Sequence, residues 1–219
     1  MRLPALTAIV LAACGSTQAP TARPGSRGLH ADEHLDEAHR HAQRAEELSR
    51  WPDTRPGGPG SFDDSRTGLW YRRWDTAGEE ARMAASHHSS AAALHAAYEE
   101  ACGTTPLGEI AVSPLQRHGV GGTNTADGVL VFLGPDAGPP DELLKAIRCH
   151  RAWMMLGERG MEECPLDLAG LRVIAHGDPS GISIELAVSD PKLVPELQRR
   201  AAADLEQAAA RRGARTARP

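Results

Sequence analysis

Leu171-Arg-Val-Ile-Ala-His-Gly-Asp-Pro-Ser-Gly-Ile-Ser-Ile-Glu-Leu-Ala-Val188 reads as two strands joined by a turn. Leu171–His176 and Ile182–Val188 carry β-favouring residues, and Gly-Asp-Pro-Ser-Gly at 177–181 supplies the turn between them. Asp190-Pro191 follows at once, an N-cap with proline at the first helical position, and opens a helix to about Arg211. A weaker copy of the same order lies upstream. Glu109–Ser113 and Val129–Leu133 are short β-like runs, and Pro139–Glu158 reads as a helix with two prolines ahead of Asp141. Gly119-Val-Gly-Gly-Thr123 falls between those runs and reads as a hairpin loop, because it lacks the Gly-Lys-Ser/Thr of a phosphate loop. The order ββα-ββα predicts an α+β sandwich over 103–211: a four-stranded antiparallel sheet with both helices on one face.

Residues 29–102 are expected to form an antiparallel helical hairpin. Leu29 to Arg50 is dense in Ala, Glu, Arg and His, without Gly or Pro. A Pro/Gly/Trp-containing loop at 51–76 interrupts it, with Trp70, Tyr71 and Trp74 near its end. Thr76-x-x-Glu79 forms a capping box for the second helix, which runs to about Cys102 and stops at Gly103. Ala31, His34, Ala38, His41, Ala45 and Leu48 make one stripe of the first helix. Ala77, Ala81, Ala84, His88, Ala91, His95 and Tyr98 make one on the second. A single antiparallel register would set His34 against His95 and His41 against His88. Imidazoles on facing helices suit Zn²⁺ or Cu²⁺, so these four residues are the candidate metal ligands, with Glu37 or Glu99 as further donors. Met83 and Leu94 define a competing apolar face of the second helix. No cofactor is otherwise indicated.

The chain has 219 residues and a net charge of −5; 41% of residues are hydrophobic and 4% aromatic, so the core must be built from small aliphatics. The mild acidity argues against a nucleic-acid partner. No apolar run approaches the ~18 residues of a membrane-spanning helix. The tail at 212–219 is basic and expected to be disordered.

The first fourteen residues carry the clearest motif. Arg2 precedes an apolar run from Leu3 to Ala13, and the segment ends Leu11-Ala-Ala-Cys14. This resembles the lipobox of bacterial lipoproteins. The resemblance implies cleavage of a signal peptide at 1–13 by signal peptidase II, and lipidation of Cys14. It also implies a flexible tether over 14–28 and anchoring in the cell envelope, membrane-bound through lipid. With Gly15 in place of Asp, the resemblance implies the periplasmic side of the outer membrane. The helix ending Ala101-Cys-Gly103, the helix with Cys149-His-Arg-Ala-Trp153 and the return Glu163-Cys-Pro-Leu166 make residues 29–200 loosely similar to predicted lipoproteins of high-GC Gram-negative bacteria, a likeness that brings no activity with it.

Export permits a disulfide among Cys102, Cys149 and Cys164. Cys149–Cys164 is the preferred pair, because the chain after Gly157 can return along the helix that carries Cys149; the two pairings through Cys102 stay open. No Gly-x-Ser-x-Gly or other catalytic motif is present. The expected function is therefore non-enzymatic, a structural or partner-binding module of the envelope, with another envelope protein or cell-wall polymer as partner. The alternatives are a periplasmic metal-binding lipoprotein using the His seam, and a thiol-based redox enzyme.

Overall fold

A computed structural model describes residues 28–50, 64–157, 163–178 and 181–216; the side chains of 64–74 and of 215 and 216 are outside that description. The fold is α+β. Helices α1 (Ala31–Ser49) and α2 (Asp64–Cys102) lie against each other, followed by two short helices, α3 (Leu107–Ile110) and α4 (Pro114–His118). Strands β1 (Gly119–Asn124) and β2 (Gly128–Leu133), helix α5 (Pro140–Met154), strands β3 (Leu171–Asp178) and β4 (Gly181–Val188), and helix α6 (Val194–Thr216) complete the order. The strands form one antiparallel sheet in the order β1-β2-β4-β3. The ββα-ββα sandwich expected from the sequence is present.

Alternation along the strands selects the covered face. Val129, Val131 and Leu133 of β2 pair with Leu186, Ile184 and Ile182 of β4, and all but the half-buried Ile182 are buried. Helix α5 contributes Leu143, Ile147 and Met154 to this core; α6 contributes Leu197 and Ala201. The intervening strand residues point away, and Phe132 and Ile174 remain 42% and 38% exposed. Both long helices of the sandwich thus cover one face and leave the other open.

Three local expectations are corrected. The first strand is the glycine run 119–124, and Glu109–Ser113 is not a strand. Pro106 starts α3, and the Ser113 hydroxyl accepts from Leu115 N–H with Pro114 at the first position of α4, so local capping turns this segment into two short helices. Two glycines of β1, Gly119 and Gly122, serve close packing. A Cβ on Gly119 would stand 2.5 Å from the Leu115 carbonyl oxygen and 2.7 Å from Leu205 Cδ2 of α6. Secondly, α2 begins at Asp64, so Thr76 and Glu79 lie inside the helix and do not cap it, and the expected loop at 51–76 is helical from 64 onwards. Trp70, Tyr71 and Trp74 lie on that segment, with side chains outside the described residues. Thirdly, α6 continues through residues 212–216 of the expected disordered tail, and Arg212 Nη1 donates to the Gly119 carbonyl.

Helices α1 and α2 meet through alanine at seven-residue spacing: Ala31 and Ala38 on one, Ala77, Ala84 and Ala91 on the other, all buried. A heptad of small residues lets two backbones approach closely, but each methyl contributes less than 1 kcal/mol of burial.

Candidate functional site

The seam between α1 and α2 gathers ionisable side chains. His34 Nδ1 lies 2.8 Å from His87 Nδ1, and His41 Nδ1 lies 2.6 Å from Glu80 Oε2. Arg44 Nε donates to the same Glu80 oxygen at 3.0 Å, and Glu37 pairs with Arg40 at 2.7 Å on α1. The His41 ring stacks on His87 with centroids 5.5 Å apart. Burial, then the neighbouring His34 and His41, push His87 below its ordinary 6.5. Burial alone would raise Glu80, but hydrogen bonds from His41 and Arg44 outweigh it and hold the carboxyl below its ordinary 4.5.

The expected metal set is therefore corrected. His34 and His41 are on the seam as predicted, but they face His87 and Glu80. His88 and His95 are exposed on another face of α2. The register differs by eight positions because Met83 and Leu94, the competing apolar face, take the half-buried positions beside the alanine heptad. Among the described residues no group of three or more His, Cys, Asp or Glu side chains is arranged to hold a metal ion.

The second cluster lies inside the sandwich. Cys102 is bonded to Cys149, with a sulfur–sulfur distance of 2.11 Å, and Cys164 is free and buried. The preferred Cys149–Cys164 pairing is thus corrected to a pairing that the sequence left open. Adjacent residues of a helix diverge by about 100°, so Cys149 faces α2 while His150 faces the returning chain. His150 is 1% exposed, and its Nδ1 lies 2.6 Å from the Ile110 carbonyl oxygen. A carbonyl only accepts, so Nδ1 is the donor in that contact, and Nε2 is the second nitrogen of the ring. Cys164 Sγ lies 3.6 Å from that Nε2. Burial, with Asp204 next, pushes the Cys164 thiol up to about 12. It is a thiol at neutral pH, and its chemistry is that of a weak hydrogen-bond donor rather than a nucleophile. Sequence reasoning missed the His150–Cys164 contact; the signal was the helical divergence of Cys149 and His150.

Buried Asp204 of α6 accepts from Gln116 Nε2 of α4 at 2.7 Å, and burial raises its carboxyl above the ordinary 3.8. A cleft of ≈ 220 Å³ opens beside the disulfide, lined by Ile110, Arg117, His118, Glu142, Lys145 and Cys149 among others. Cys14, the signal segment 1–13 and the tether up to residue 27 lie outside the described residues. No described helix is long and apolar enough to cross a membrane. No known family matches the chain, and neither curated proteins nor solved structures yield a match.

Proposed function

We propose that this chain is a lipid-anchored cell-envelope protein that acts as a structural or partner-binding module rather than as an enzyme, held through Cys14 on the periplasmic side of the outer membrane. The observation that carries the reading is the Cys102–Cys149 bond. It joins the C-terminal end of α2 to the middle of α5, and so fixes a 39-residue helix to the sandwich. Such a clamp persists in an oxidising compartment and is rare in a reducing one. It agrees with the compartment that the Leu11-Ala-Ala-Cys14 motif specifies. The remaining thiol supports the non-enzymatic half of the reading, because Cys164 is buried and held protonated.

Expression of the full chain in a Gram-negative host with labelled palmitate tests both halves. Wild type is expected in the membrane fraction with label, and Cys14→Ser without label and outside that fraction. Iodoacetamide at neutral pH is expected to leave Cys164 unmodified until the protein is unfolded. Label retained by Cys14→Ser, or Cys164 alkylated within minutes in the native protein, would contradict the reading.

A further inference from the structure

We propose that His34, His41 and His87 form a proton-operated latch that keeps α1 docked on α2 at neutral pH and releases it in mild acid. The His34–His87 contact joins two imidazole nitrogens, Nδ1 to Nδ1, at 2.8 Å. One must donate its hydrogen and the other must accept with a lone pair. A first added proton can be shared between the two rings; a second removes the last lone pair, so the bond cannot survive with both rings charged. It would be replaced by two cations with ring centroids 5.1 Å apart. The third imidazole, His41, is stacked on the same His87 ring.

The surrounding charges decide whether the seam can absorb that proton. From α1 the facing groups are Glu37, Arg40 and Arg44 together with His34 and His41; from α2 they are Glu80 and His87. Both carboxylates are already engaged, Glu37 by Arg40 and Glu80 by Arg44 and His41. The two arginines add positive charge to the α1 side. Little negative charge is left to stabilise a second imidazolium.

The rest of the architecture determines which part moves. Helix α2 is bonded to α5 through Cys102–Cys149, whereas α1 has no covalent link to α2 or the sandwich among the described residues. Apart from the imidazole cluster and the contacts of Glu80 with His41 and Arg44, its seam is made largely of alanine methyl groups. Its first residue is pinned: Ala31 N–H donates to the Met155 carbonyl at 2.8 Å, and Gly157, at φ +103°, lies directly against Asp32. These contacts hold the first residues of α1 when the rest of the seam is released.

The direction follows from linkage. His87 has a lowered value in the docked state, so the docked state binds fewer protons than the released one. The contribution of His87 to docking is fully present above its ordinary 6.5 and is lost as pH falls through the lowered value. Glu80 adds a separate step, because its lowered carboxyl value contributes to docking above 4.5 and is lost only at lower pH.

Hydrogen exchange of the full chain, followed by mass spectrometry at pH 7.5 and 5.5 and corrected for intrinsic rates, tests the latch. Protection of peptides from 31–49 is expected to fall at least tenfold at pH 5.5, while α6 is unchanged. The double variant His34→Gln/His87→Gln keeps a neutral donor–acceptor pair and is expected to hold α1 at both pH values. Equal protection of wild-type α1 at both values, or the wild-type profile retained in the variant, would overturn the proposal. If the variant does not dock at either pH, the wild type decides alone. Release that follows the ring titration of His87 by nuclear magnetic resonance supports the latch, and a midpoint more than about one pH unit away overturns it.

Discussion

Asp204 shows how much one residue's surroundings determine. It is 2% exposed, sits on the inner stripe of α6 with Leu197, Ala201 and Ala208, and accepts from Gln116. Burial dominates and raises its carboxyl. A raised value means that the folded state binds the proton more tightly than the unfolded state. This contribution to stability is present below about 3.8 and is lost as pH rises through the folded value. Asp204→Asn removes the buried charge and keeps an amide partner for Gln116. It is expected to stabilise the protein at pH 7 by about 1 kcal/mol, with a smaller gain at pH 4. Urea denaturation at the two pH values checks this, and an equal effect at both would contradict the stated cause. None of this was legible at Asp204 itself, because its neighbours come from α4, distant in the chain. Cys149 and His150 were partly legible. Their divergence on a helix was foreseeable, but which of them met Cys164 depended on where α2 docked.

At the scale of elements, β2, β3, β4 and α5 were readable because their apolar periodicity and proline punctuation agree. The first strand was not. Gly-Val-Gly-Gly has weak β propensity because glycine is depleted in strands; the segment pairs with β2, and Leu205 of α6 packs close over Gly119 and Gly122. Gly119→Ala would place a Cβ 2.5 Å from a backbone oxygen, whereas Gly121 has nothing within 4 Å of that position. We expect Gly119→Ala to cost about 1–3 kcal/mol, visible as a lower melting temperature, and Gly121→Ala to change little. Equal effects at the two positions would show that close packing is not the reason for the glycines. The helical hairpin was legible as a pair of alanine stripes but not in its register. An alanine heptad repeats every seven residues, and only the larger Met83 and Leu94 break the degeneracy. The candidate seam therefore kept His34 and His41, while His87 and Glu80 replaced His88 and His95.

The described residues form a sandwich with one open sheet face and a helical hairpin joined to it by the chain at Gly103 and by a disulfide. Cys102 and Cys149 are 47 residues apart, and the chain-entropy model gives about 4 kcal/mol for a loop of that length. Reduction, or Cys102→Ser/Cys149→Ser, is expected to lower stability by roughly that amount in urea titrations at neutral pH. An unchanged midpoint would mean that the unfolded chain already holds these segments together.

The anchor connects this architecture to a place in the cell. The most direct measurement is the intact mass of the full-length protein, extracted in detergent from a Gram-negative envelope with free thiols blocked. The account predicts a chain that starts at Cys14, carries a diacylglycerol and an acyl chain, and has one blocked thiol and one disulfide. A chain that starts elsewhere, lacks the lipid mass, or carries three blocked thiols would contradict it.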